Sequence, residues 1–123
     1  MLTLGPGTRV YLASEPVDLR RGHDGLCALV RAELELDPLS GHLFAFIGRR
    51  RDRVKVLFWD RGGFVLYYKR LARGRFVLPR VTAGADRVVL DATQLGMLLG
   101  GFDPSSARRI AAWEPRSRRA SVA

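Results

Sequence analysis

From Leu43 to Lys69 the chain carries three strand-like runs in close succession, Leu43 to Ile47, Arg53 to Trp59 and Phe64 to Lys69. They are joined only by Gly48 to Asp52 and Asp60 to Gly63, stretches of hairpin length that hold Gly and Asp. Connections this short reach only an antiparallel neighbour, because a parallel return needs a crossover of roughly a dozen residues or more. The reading is therefore an antiparallel meander. In the second run Arg53, Lys55, Leu57 and Trp59 share one face, and Val54, Val56, Phe58 and Asp60 share the other. The Val54 face is the expected core side, with Arg and Lys covering the opposite one.

The flanking segments add a smaller β element and two helices. Leu2 to Leu4 and Arg9 to Leu12, on either side of Gly5-Pro6-Gly7, are short and apolar enough to be strands. VDLRRGHDGLCALVRAELELDP reads as a helix, with Asp18 or Asp24 at its start, Leu26, Leu29, Val30 and Leu34 at helical spacing, and Pro38 as its stop. A close backbone approach or a positive φ would account for Gly22 and Gly25. Phe76 to Leu78 is a candidate fourth strand before Pro79, and Arg87 to Leu90 a further short one. Asp91 and Gln94 form a capping-box pair ahead of Leu95, Leu98 and Leu99, and Gly100-Gly101 ends that helix.

A chain of 123 residues has room for one domain of ordinary size. The expected fold class is α+β, a single domain over residues 1–103 with an antiparallel sheet packed by two main helices. Residues 104–123 are rich in Ser, Arg and Pro and are expected to be a loosely ordered basic tail. No apolar run approaches the roughly 18 residues that span a bilayer, and MLTLGPGTRVYL lacks the pattern of a signal peptide. Cys27, the single cysteine, lies in an apolar stretch and suits a buried thiol in a reducing compartment, so a cytoplasmic location and no membrane partner are expected.

Charge is concentrated. The formal net charge is +9, and residues 41–80 alone carry +9, against −2 for residues 1–40 and +2 for residues 81–123. Residues 49–76 hold ten Arg and Lys against two Asp, interleaved with Val, Leu, Phe, Trp and Tyr. Such a block calls for a polyanion, and nucleic acid is the commonest one in a cytoplasm. An arginine-rich codon bias is the competing account, with 19 Arg to 2 Lys, but bias does not gather charge into one third of a chain. Arginine neutralises phosphates, and an Arg–aromatic mixture can also stack on bases, although sheet packing is the commoner use of Trp59, Tyr67 and Tyr68.

The chemistry of an enzyme is missing from the sequence. There is no GxSxG elbow, GxxxxGK[ST] phosphate loop or HExxH helix. Cys27, His23 and His42 are too few for a structural zinc site, which takes about four ligands. His23 and His42 read as a helix-start and a loop residue. Metal-dependent strand transfer needs several carboxylates converging on two ions, whereas Glu33, Glu35 and Asp37 read as a solvated helix end and Asp60 as a turn residue. No catalytic residue, metal or cofactor is expected.

Four segments in order, DLRRGHDGL from Asp18, DPLSGHLFAF from Asp37, KVLFWDRGGF from Lys55 and YKRLARGRF from Tyr68, resemble the small accessory protein of insertion sequences of the 66 family, often called TnpB. The likeness runs from about Thr8 to Phe102. The family's D-x-R-x-G-x-x-G-L signature falls on Asp18, Arg20, Gly22, Gly25 and Leu26, and its K-R-L-x-x-G-x-F signature on Lys69, Arg70, Leu71, Gly74 and Phe76. After Trp59 the chain departs from it, with Arg61 where the family has the first glycine of Asp-Gly-x-Gly.

The resemblance implies a part in DNA transposition beside a separate, larger transposase that carries the catalytic carboxylates. The expectation is a non-enzymatic accessory protein whose partners are that transposase and DNA, at the element ends or without sequence preference. The residues expected to meet DNA are Arg20, Arg21, Arg49, Arg50, Arg51, Arg53, Lys55, Lys69, Arg70, Arg73 and Arg75. Two alternatives remain: a module that recruits or regulates the transposase, its charge answering an acidic partner, and a cryptic nuclease, which the shortage of free carboxylates disfavours.

Overall fold

The computed structural model describes residues 4–104. Five strands, β1 (Val10–Ala13), β2 (Leu43–Ile47), β3 (Arg53–Asp60), β4 (Gly63–Arg70) and β5 (Arg87–Leu90), form one sheet in the order β4-β3-β2-β1-β5. Helix α1 (His23–Ala32) lies in the connection between β1 and β2, and α2 (Ala92–Leu99) follows β5. This is an α+β domain with a mostly antiparallel sheet. The meander β2-β3-β4 has the expected pairing, with Ala45 opposite Val56 and Val56 opposite Tyr67. β1 adds something the local pattern does not encode: it runs parallel to β2, Tyr11 beside Phe44, while pairing antiparallel with β5.

Both faces of the sheet are covered, which corrects the expectation of one core face and one basic face. On one side Val10, Leu12, Leu43, Ala45, Ile47, Val54 and Val56 pack with Phe76 and with Leu95 and Leu98 of α2. On the other, Tyr11, Phe44, Phe46 and Leu57 pack with Leu26, Cys27, Leu29, Val30 and Leu34 of α1 and its exit. Leu57, assigned to the basic face by alternation, is fully buried there. The signal for this second core was β2 itself: LFAFI is apolar at every position, the pattern of a strand buried on both faces, and all five residues are buried. Burying a side chain such as Phe44 or Phe46 contributes about 1.5–3 kcal/mol, so the second face is a substantial part of what holds the fold together.

Local chemistry fixes the element ends. In α2 the Asp91 carboxylate accepts from the Gln94 amide at 2.7 Å and the Gln94 side chain accepts from the Asp91 amide at 2.9 Å, the capping box read from sequence. Gly101 adopts φ 85°, and the amides of Gly101 and Phe102 return to the carbonyls of Leu98 and Met97, closing the last turn. Lys69 Nζ donates to the carbonyl of Leu99 at 2.6 Å, a cation at the negative end of the helix dipole.

Helix α1 is shorter than its sequence pattern. It starts after Gly22, whose φ of −96° needs no glycine, and it ends at Ala32, so neither Asp18 nor Pro38 bounds it. A Cβ on Gly22 would meet nothing within 4 Å, and the three atoms nearest to one on Gly25, from 3.0 Å outward, all belong to the Arg21 side chain, so the close neighbour of Gly25 is Arg21 rather than the sheet. Phe76 to Leu78 is irregular rather than a strand, with Phe76 itself in the core. Leu4 is outside any strand, and Leu2, Thr3 and the expected tail beyond Pro104 lie outside the described residues.

Candidate nucleic-acid interface

The β2–β3 turn gathers much of the positive charge. Its backbone closes through the Arg51 amide to the Gly48 carbonyl at 2.8 Å and the Gly48 amide to the Arg53 carbonyl at 2.9 Å. The segment after β4 is tied to it in the same way, Leu71 amide to Asp52 carbonyl at 2.8 Å and Phe76 amide to Arg51 carbonyl at 2.5 Å. Because main-chain bonds and the buried Phe76 hold this end together, the arginine side chains are left to face solvent. Arg49, Arg50, Arg51 and Arg75 line a recess of about 350 Å³ with Asp52 and Gly74. Arg20, Arg49, Arg50 and Arg53 line an adjoining one of about 240 Å³.

Arg51 holds φ 65°, a left-handed conformation that costs a non-glycine residue roughly 1–2 kcal/mol. A turn chosen for backbone comfort would have Gly or Asn there. Arg61 at the β3–β4 turn holds φ 46° beside Gly62 at φ 85°, so the departure from the Asp-Gly-x-Gly pattern is accommodated as a two-residue turn with both φ positive, of the I′ kind.

The eleven basic residues singled out in the sequence do not form one surface. Arg20, Arg49, Arg50, Arg51, Arg53 and Arg75 converge on the two recesses, and Arg73 is exposed on the docked segment between Leu71 and Phe76. Arg53 and Arg70 are cross-strand neighbours, as are Lys55 and Tyr68, all on the α1 side of the sheet. The Lys55 ammonium donates to the Arg21 carbonyl at 2.8 Å and stands 5.3 Å from the Tyr68 ring centre. Lys69 projects to the opposite face, where the end of α2 takes its ammonium. Arg49, Arg50, Arg51, Arg70, Arg73 and Arg75 make no ion pair among the described residues.

Two acids temper the cluster, and sequence reading gave neither a part in it. Asp18 accepts from Arg20 Nη2 at 2.6 Å, from Nε at 3.0 Å and from the Arg20 amide at 3.0 Å. The Arg20 guanidinium thereby holds the Asp18 carboxyl far below the usual carboxylate range and its own protonation is reinforced in return. The Asp-x-Arg spacing was the available signal, since Asp commonly bonds the backbone two residues on. Asp52 Oδ1 lies 3.8 Å from Arg53 Nε, beyond hydrogen-bond reach, and both atoms are buried without another partner. The far ends of the sheet strands carry no comparable charge: a recess of about 570 Å³ there is lined by Leu4, Leu43, Phe58, Trp59 and Tyr67 among others.

The two signature stretches acquire structural meaning in this geometry. Asp18 and Arg20 form a local clasp ahead of α1, and Leu26 of that helix is fully buried in the α1-side core. Lys69 fixes α2, Gly74 turns at φ 77°, and Phe76 anchors the docked segment. Residues 8–109 match the family model described as IS66 Orf2 like protein. This chain belongs to the IS66 Orf2-like family.

Membership places the chain among the accessory proteins of insertion sequences and ties it to transposition. Two relatives from Sinorhizobium fredii (strain NBRC 101917 / NGR234) are similar over nearly their whole length. The uncharacterized protein y4jC is 38% identical over 108 residues, covering 86% of this chain and 91% of y4jC. The uncharacterized protein y4hO is 42% identical over 103 residues, covering 84% of this chain and 88% of y4hO. No solved structure matches the IS66 Orf2-like chain. Among its described residues no group of three or more His, Cys, Asp or Glu could hold a metal ion, and no helix is long and apolar enough to cross a membrane.

Proposed function

We propose that this IS66 Orf2-like protein is a non-enzymatic DNA-binding accessory factor that works beside a separate transposase in the cytoplasm. The observation that carries the reading is the convergence of Arg20, Arg49, Arg50, Arg51, Arg53 and Arg75 on two adjoining recesses around a turn held by its own backbone. Guanidinium groups so placed neutralise consecutive phosphates and release counterions, which supplies affinity with little demand on sequence. Lys69 is left out of this surface because its ammonium serves α2.

The test is binding to the element's terminal repeats and to scrambled duplex across a range of salt concentrations. Within the turn Arg49 and Arg50 line both recesses and Arg51 only the first, so about two of the three reach one backbone. Replacing all three with Ser reduces the magnitude of the salt slope by roughly 2 and the affinity at 0.1 M salt by roughly 100-fold, with melting temperature nearly unchanged. Unchanged affinity and slope would overturn the reading. A transposase-docking module is the second reading, favoured by the recess at the far end of the sheet, where Phe58, Trp59 and Leu66 stand beside Asp60. Loss of transposase capture by the triple-Ser variant, with duplex binding intact, would put the docking site on the arginine end instead.

A further inference from the structure

We propose that the α1-side surface of the β3–β4 hairpin is a platform for single-stranded DNA, on which Tyr68 stacks a base while Arg53 and Arg70 hold the flanking phosphates. This deepens the DNA-binding reading and rests on it. Lys55 and Tyr68 are directly paired across β3 and β4, and Arg53 and Arg70 are paired two residues further along the same face. Cross-strand partners stand about 4.5–5.5 Å apart, so the four side chains form one contiguous patch that adjoins the recess containing Arg53.

Tyr68 is the exception among the strand aromatics. Trp59 and Phe64 pack edge to face at 5.0 Å, and Tyr67 is half-buried toward α2, whereas Tyr68 is 51% exposed. The Lys55 ammonium lies over the ring on the β3 side, and β4 is the last strand of the sheet, so among the described residues no strand covers the other side of the ring. A positioned ring with one open face, set beside cations at backbone spacing, is the arrangement that binds single strands. In a duplex the base faces are covered by their stacked neighbours, so only an unstacked base can use this ring. The Arg70 guanidinium, exposed and without an ion pair among the described residues, is placed for the adjacent phosphate.

The experiment compares an oligo-dT with a duplex of equal length, using the full chain and the variants Tyr68→Ala and Tyr68→Phe, together with photocrosslinking of an oligo-dT carrying 5-iododeoxyuridine. Tyr68→Ala weakens oligo-dT binding by roughly 5- to 150-fold while duplex binding and both salt slopes stay put, and Tyr68→Phe, which keeps the ring, stays within about twofold of the parent. The crosslink maps to Tyr68 in the unmodified protein, a readout that needs no variant to fold. Equal losses on oligo-dT and duplex, no loss at all, or crosslinks confined to other residues would overturn the platform. Parent protein that binds duplex but not oligo-dT overturns the platform alone, and parent protein that binds neither overturns the DNA reading with it.

Discussion

The two ends of the sheet solve the same problem, closing a β-hairpin, by opposite means. At the β2–β3 end the turn and the docked segment after β4 are joined by main-chain hydrogen bonds, so Arg49, Arg50, Arg51 and Arg75 have no structural duty. At the β3–β4 end the turn is the shortest possible, and Trp59 against Phe64 supplies the packing that flanks it. Side chains that hold a fold together are not available to a partner. The difference therefore predicts a separation: substitutions at the arginine end alter binding and leave stability alone, and substitutions at the aromatic end do the reverse.

The largest stability effect belongs to Trp59. Its replacement by Ala removes the edge-to-face contact with Phe64 and opens the adjacent recess. Because Trp59 is only half-buried, the loss is about 2 kcal/mol, below the 3–5 kcal/mol of a fully buried aromatic, and denaturant unfolding measures it. Duplex affinity is unchanged. A Trp59→Ala protein of parent stability that has lost affinity for DNA would break the comparison by making the aromatic end a contact surface.

At Arg51 a residue proposed to meet DNA also carries a backbone cost. Substituting Gly at φ 65° relieves the left-handed strain and raises stability by up to about 1 kcal/mol, less the added flexibility of glycine in the unfolded chain. The same change removes one phosphate contact, lowering the salt slope by about 1 and the affinity at 0.1 M salt by about tenfold. Stability and binding move in opposite directions, as expected where a local rule is broken for function. Weaker binding together with weaker folding would show instead that the Arg51 side chain supports the turn.

What the sequence disclosed follows the same division between local and long-range information. β2, β3, β4 and the capped start of α2 were legible because hairpin-length loops and the Asp91–Gln94 pair are local signals. The parallel pairing of β1 with β2 was not, since strand direction depends on where α1 carries the chain. The second core is not legible from β3 because Arg53 and Lys55 share a face with Leu57, and alternation along β3 alone cannot tell that α1 covers Phe46 and Leu57 while Tyr68 and Arg70 on the same face stay exposed. For the interface, the charge block was plain in the composition, but only the fold parts Lys69 from the arginines and brings Arg20 and Arg75 beside Arg49, residues far apart in the chain.

Arg61 gives the smallest effect and the cleanest control. Like Arg51 it is an arginine with positive φ at a hairpin turn, so the two residues share charge, side chain and a left-handed backbone while lying at opposite ends of the sheet. The sequence Asn-Gly is the preferred pair for a two-residue turn of the I′ kind, and Arg61→Asn ahead of Gly62 creates it. Asn tolerates the left-handed region better than Arg, so stability rises by roughly 0.5 kcal/mol, seen as a small upward shift of the melting temperature. The formal charge falls by one, as it does in Arg51→Gly. If non-specific attraction to the whole positive molecule governed binding, the two variants would lose salt slope alike. The separation between ends requires the Arg61→Asn slope to match the parent within error while the Arg51→Gly slope falls by about 1. Equal losses would mean that net charge, and not the placement of the arginines around the β2–β3 turn, is what DNA senses.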